Sequence, residues 1–229
     1  MVQREDTLEQ TLSQRPHSGM IQDETTQTVL LSSCYLAPVS YYALLMQSGT
    51  ALIETGDHYQ KQSYRNRCHI GGANGMHPLT IPVEKPSGEK CFVRDIRIAD
   101  HGSWQHLHWQ AIVSAYGSTP FFLYYEDAFR PFYEKRPLFL HDFNEELRQL
   151  VCQLIGIGTE TSCTGNYVAN PPAEIRDCRE LIHPKRETPF QIPPYYQVFA
   201  DRNGFIPDLS IIDLLFNMGN ESRLILRAV

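Results

Sequence analysis

The sequence predicts a mixed α/β fold of the α+β kind: a single domain with a small central sheet flanked by amphipathic helices. Three observations carry this expectation. Short β-type runs, TVLLSSCYL and TALIET, lie on either side of a short helical stretch. Longer segments repeat apolar residues at helical spacing. Strands and helices are interspersed without the regular alternation of a doubly wound sheet.

Residues 1–27 are polar and aperiodic, so a disordered tail is expected there, with the folded domain spanning 28–229. TVLLSSCYL reads as the first strand. APVSYYALLMQSG reads as a helix, with Pro38 near its start and Gly49 past its end. TALIET is a second strand. GGANG at 71–75 is a turn, PLTIPV a strand, and CFVRDIRI a strand with Phe92, Ile96 and Ile98 on one face. DHGSWQHLHWQAIVSAYG gives an amphipathic helix, capped by Asp100 or Ser103. Its stripe is Trp104, Leu107, His108, Ala111, Ile112 and Ala115. STPFFLYYEDAFRPFY and DFNEELRQLVCQLIGIG give two more helices. Residues 161–194 hold six of the 15 prolines. This segment reads as too irregular for a buried core and is expected to be a functional or mobile lid. YYQVFA reads as a strand, and PDLSIIDLLFNMG as a helix capped by Asp208 and stopped by Gly219.

The chain of 229 residues is long enough to bury about 70% of the surface that it exposes when unfolded. Twenty basic against 26 acidic residues argue against a nucleic-acid partner. No run of about 18 apolar residues suggests a membrane span. LLSSC at 30–34 has the form of a lipoprotein cleavage site, but the residues before it are polar. The six cysteines form no Cys-x-x-Cys pair. A cytoplasmic protein with reduced, mostly packed thiols is expected.

Motifs for dinucleotide, P-loop and serine-elbow chemistry are absent, and so is Asp-x-Asp. His101, His106 and His108 are close in sequence, but a helix points His106 and His108 about 200° apart. No metal and no cofactor are therefore expected.

The stretch DHYQKQSYRNRCHI, residues 57–70, concentrates Lys61, Arg65 and Arg67 in an acidic chain of formal charge -6. Neither face of it is apolar. A buried guanidinium needs a partner, so the stretch is a solvated hairpin, an ion-pair network or a wet ligand cleft. Asp213 is the only charge in LSIIDLLF and is expected to be buried, partnered by Arg65 or Arg67 or by Tyr196 and Gln197.

The blocks CYLAPVSYYALL, HYQKQSYRNRCHI, LTIPVEK, RDIRIADHGSWQHLHWQAIVSAYGSTPFF, DCRELIHPK and YYQVFADRNGFIPDLSIIDLLFNMG occur in that order. Together they resemble the WbqC-like family, and more closely its Bacteroides-type branch, over about residues 29–219. The resemblance implies a cytoplasmic bacterial protein of surface-polysaccharide (lipopolysaccharide O-antigen) biosynthesis. Family members often begin with His-Gln-Pro-x-Tyr, where this chain has CYLAP and keeps only Tyr35 and Pro38. The family's Lys/Arg and Asn-Arg signature is matched by Lys61, Arg65, Asn66 and Arg67. Its tail signature is matched by Tyr196, Gln197, Ser210, Asp213 and Asn217. With these blocks admitted, the cleft becomes the favoured reading of the polar stretch.

Two functional classes follow. One is a transferase moving an acyl or aminoacyl group to a sugar precursor that carries an anionic group, such as a nucleotide sugar. His58 or His108 would be its base, and Asp213 would organise the site. Tyr35, Tyr59, Lys61, Arg65, Asn66, Arg67, Tyr196 and Gln197 would bind the ligand. The Pro-rich segment would bring Arg179, His183 and Lys185 over it. The other class is a non-catalytic binding or assembly factor using the same cleft.

Overall fold

Residues 27–84 and 91–229 are described by the structure, a computed structural model. The expected tail at 1–27 lies, save for Gln27, outside the described residues.

Two apolar runs become the centre of a parallel sheet. β1 (Thr28–Ser32) pairs in parallel with β2 (Thr50–Glu54), in the register Thr28↔Thr50 to Ser32↔Glu54. Val29, Leu30 and Leu31 are all buried, as suits a parallel strand covered on both faces. The crossover between the strands is α1 (Val39–Gln47), buried from Val39 to Leu45. Its amino end is held from far along the chain. Asp208 Oδ1 accepts from the Ser40 amide at 2.8 Å, and Asp208 Oδ2 from the Ser40 hydroxyl at 2.9 Å. Asp208 thus caps α1, not the late helix expected from sequence.

β3 (Arg67–Gly72) and β4 (Gly75–Thr80) form an antiparallel hairpin across the GGANG turn. Three amphipathic helices follow: α2 (Trp104–Tyr116), α3 (Phe122–Glu134) and α4 (Leu140–Ile155). They enclose an aromatic core that includes Tyr35, Phe122, Phe129, Tyr133, Phe143 and Phe216. Leu107 departs from the expected stripe and is 59% exposed. Neither Asp100 nor Ser103 caps α2 by a side-chain hydrogen bond; Ser103 sits in left-handed backbone at φ 48°.

CFVRDIRI is not a strand. Its backbone makes single bridges to separate partners and a 3-10 turn at Val93–Asp95, because no strand runs beside it. YYQVFA is extended but carries no ladder, and runs into the short α5 (Ala200–Asn203).

The Pro-rich segment gives the larger correction. It contains β6 (Ile175–Asp177) and most of β5 (Glu160–Cys163), the two outer strands of the sheet. The sheet order is β5-β2-β1-β6, with all three pairings parallel. Edge strands pair on one side only and stay short and polar, so periodicity does not announce them.

The last helices are α6 (Ile211–Met218), buried from Ile211 to Asn217, and α7 (Ser222–Ala228), which packs on α1. Gly219 ends α6 at φ 55°, where a Cβ would meet the Phe121 ring at 2.6 Å. No helix of the described residues is long and apolar enough to cross a membrane.

Candidate functional site

Because all four strands run the same way, their carboxyl ends meet along one edge. Ligands of open α/β sheets bind outside that edge, which makes it the first place to look on fold-level analogy. It carries Ser32 and Ser33 at the end of β1, Glu54 and Asp57 at and beyond the end of β2, Cys163 and Thr164 at the end of β5, and Asp177 and Arg179 at and beyond the end of β6.

One cluster lies between β1 and the polar stretch. The Arg65 guanidinium is 5% exposed; it donates to Asp57 Oδ2 and, at 3.2 Å, to the Ser32 hydroxyl. Burial raises the Asp57 carboxyl above its ordinary 3.8, and Arg65 works against the shift. Asp57 Oδ1 and Arg65 Nε are both buried and bonded to nothing among the described residues. A half-buried thiol beside this pair, that of Cys34, is pushed up to about 12, chiefly by burial.

Ser33 belongs to a second cluster. Its hydroxyl lies 3.2 Å from His141 Nδ1 and accepts from Asn144 Nδ2 at 3.3 Å. The same Asn144 amide donates to the Arg65 carbonyl at 2.8 Å, tying the clusters together. Cys163, exposed at the end of β5, holds its sulfur 3.7 Å from His141 Nε2. Burial lowers the basicity of His141, so the imidazole rests neutral. Burial and then Glu145 raise the Cys163 thiol, so it rests protonated. A thiol, an imidazole and a hydroxyl facing the imidazole thus stand in a line, with the thiol held protonated.

Glu54 closes the far side. It accepts from Thr164 Oγ1 at 2.7 Å, the Gly56 amide at 2.8 Å, the Val168 amide at 3.0 Å and Arg179 at 3.1 Å. Burial alone would raise its carboxyl; these donors together hold it below the ordinary value.

Several residues expected at a site do gather here. Arg179 bridges Glu54 and Asp177, the Lys185 ammonium meets the Gln62 side chain, and His183 feels the charge of Arg65. Tyr59 feels Arg65 and Arg67. Lys61 is exposed on the same stretch.

Others lie elsewhere. Asp213 has no cation beside it among the described residues. It accepts from Tyr116 OH at 3.0 Å, Tyr195 OH at 2.8 Å and Gln197 Nε2 at 2.9 Å. Burial raises its carboxyl to about 6. The expected pairing with Arg65 or Arg67 is therefore corrected: Arg65 goes to Asp57, and Arg67 Nε donates to Thr80 Oγ1 at 3.0 Å. Tyr196 is 55% exposed and its neighbour Tyr195 makes the contact. Tyr35 OH lies 3.0 Å from His108 Nδ1 and 2.8 Å from Tyr133 OH. Burial lowers His108 to about 4, a packed imidazole rather than an open base. His58 is exposed and stacks on Phe92. Asn66 Nδ2 donates to the Ile81 carbonyl at 2.8 Å, and its side-chain oxygen has no partner among the described residues. No group of three or more His, Cys, Asp or Glu side chains among the described residues has metal-site geometry.

Sequence reasoning missed Ser33, His141, Asn144 and Cys163. A signal existed on α4: His141, Asn144 and Arg148 recur at three-four spacing on its buried face, where apolar residues are the rule.

The model of the WbqC-like protein family matches residues 33–177, more than half of the chain, and the chain belongs to this family. The match includes Ser33, Glu54, Asp57, Arg65, His141, Asn144 and Cys163. The uncharacterized protein Rv1507c of Mycobacterium tuberculosis (strain ATCC 25618 / H37Rv) is 26% identical over 223 residues, covering 86% of this chain and 95% of its own. No solved structure matches the chain.

Proposed function

We propose that this WbqC-like chain is a transferase of bacterial surface-polysaccharide assembly, passing an acyl or aminoacyl group through Cys163 to a sugar precursor. The observation that supports it is the 3.7 Å contact of Cys163 Sγ with a neutral His141 whose other nitrogen faces Ser33. His141 Nε2 takes the thiol proton as sulfur attacks the carbonyl carbon of an activated acyl donor. The leaving group departs with that proton, and an S-acyl cysteine remains. A sugar hydroxyl or amine then attacks the S-acyl carbon and gives its proton to His141. The thiolate leaves and is reprotonated, and every atom is accounted for.

The base is thus His141 in place of His58 or His108. The test is intact-protein mass spectrometry after mixing with an acyl-pantetheine thioester. An acyl adduct mapping to Cys163, absent in Cys163→Ala, is the expected result. A protonated resting thiol also suits a binding or assembly factor, and no adduct at any pH would favour that reading over transfer.

A further inference from the structure

The acid–base pairing around residues 54–67 is uneven. Asp57 answers Arg65, Glu54 and Asp177 answer Arg179, and Glu180 answers Arg186. Lys61, Arg67 and Lys185 have no carboxylate within salt-bridge distance among the described residues. Arg65 still has a free, buried Nε. Two chain segments carry these charges, and His183 on one of them feels both Lys185 and Arg65. The strip is bent by Gln62, held in left-handed backbone at φ 60°, and by the Ser63 hydroxyl donating to the Gln60 carbonyl at 2.7 Å. Such backbone strain in a non-glycine residue marks places where the surrounding structure enforces a geometry. The turn leaves Lys61 exposed while Arg65 is buried. The facing segment 179–186 touches it lightly, through Lys185 to Gln62 and through Gln60 to Glu180 at 3.5 Å, both at the surface. Burial and then the charge of Arg186 depress the basicity of His183, and Lys185 and Arg65 act in the same direction.

We infer that the Tyr59–Arg67 strip and the 179–186 segment clamp a phosphoryl group of the ligand, with Lys61, Lys185 and His183 at its rim and Arg65 Nε beneath. This rests on the transfer reading only in naming the phosphoryl group as part of the sugar precursor. The clamp itself stands on the surplus of cations and on the unsatisfied guanidinium nitrogen, which a phosphate oxygen would satisfy.

The test is calorimetric binding of pyrophosphate, UDP and inorganic phosphate to the full chain. The variants are Lys61→Ala/Lys185→Ala, whose side chains are exposed, and Lys135→Ala as a remote surface control. Pyrophosphate should bind in a salt-dependent way, at least tenfold more weakly to the double variant and unchanged in the control and in Cys163→Ala. Bound pyrophosphate should also slow tryptic cleavage after Lys185 and Arg186. UDP binding more tightly than pyrophosphate assigns the source as a nucleoside diphosphate; equal affinity assigns the phosphoryl group alone. No binding of any probe, or equal binding to the double variant, overturns the clamp. Absence of any Cys163 adduct in the unmodified chain, with pyrophosphate binding intact, overturns the transfer chemistry instead and leaves the clamp standing.

Discussion

Cys163 Sγ lies 3.7 Å from His141 Nε2, joining the last residue of β5 to the first turn of α4. Neither residue stabilises the other much, because the thiol is exposed. Cys163→Ala should therefore leave the melting temperature within about a degree, a change under about 0.5 kcal/mol. It should abolish adduct formation in the mass-spectrometric assay. His141→Ala should slow acylation by about 10²–10⁴-fold, the usual weight of a positioned base. A slowing below threefold would remove His141 from the reaction.

The pH dependence follows from the His141 environment. Burial lowers this imidazole below its ordinary 6.5, so it keeps its proton-accepting form to lower pH than a free histidine. The rate of acylation should fall on acidification only below pH 6.5. An acid limb at or above that pH, measured by stopped-time mass spectrometry, would contradict the assignment.

The Asp57–Arg65 pair is buried on both sides, with side chains 9% and 5% exposed. Asp57→Ala leaves a guanidinium without its counter-charge and should cost about 3–5 kcal/mol in urea unfolding. Replacing both partners together, as Asp57→Leu with Arg65→Met, should cost less than the two single changes summed. Additive losses would show that the two side chains do not act as a pair.

Asp213 should make stability depend on pH with a definite sign. Its folded carboxyl titrates near 6 against an ordinary 3.8, so between those values the folded state holds the proton more tightly. Stability should thus be greater below about pH 4 and be lost as pH rises through about 6, by on the order of 3 kcal/mol. Asp57 pulls the same way. The difference between wild type and Asp213→Asn, followed by urea unfolding from pH 4 to 7, isolates the Asp213 share. A flat difference would refute it.

Gly71 backs directly onto this carboxylate. A Cβ there would sit 2.9 Å from Asp213 Oδ1 and 3.0 Å from Leu209 Cδ1. Gly71→Ala should cost about 1–3 kcal/mol by overpacking. Gly75→Ala puts nothing against a neighbour, though its φ of 95° still strains it, and serves as the comparison.

The parts legible in the sequence are those where one chemistry dominates. The run Val29–Leu31 announces a buried element and is buried; of the apolar stripe Leu147, Leu150, Val151, Leu154 and Ile155 on α4, Leu147, Val151 and Ile155 are buried and Leu150 and Leu154 half-buried. Asp213, a lone charge among apolar residues, signalled a polar hub, and three donors surround it. Gln197, one of the expected partners, does donate to it, while Arg65, Arg67 and Tyr196 do not; Tyr116 and Tyr195 escape notice because they look like core aromatics until the helices cross. The Cys163–His141 contact was illegible for a different reason. It depends on β5 docking on β2, and β5 is four residues with no apolar pattern. The polar stretch proved divided. Ser63 to Asn66 turn inward to pair, while Gln60 to Gln62 stay exposed, a split that no single periodicity encodes.

The strand order β5-β2-β1-β6 also sets a timetable for folding. The β1–β2 pair closes a short loop, with Thr28 and Thr50 separated by 22 residues. Both flanking strands come from the segment that follows α4; the Glu54–Thr164 contact beside β5 already spans 110 residues. Loop closure of that length must precede any reward from the outer pairings, so they form late. A ribosome will thus have made nearly four-fifths of the chain before β6 can dock on β1. Until then, the growing protein presents two apolar strands with open edges to whatever chaperone or neighbouring chain reaches them first.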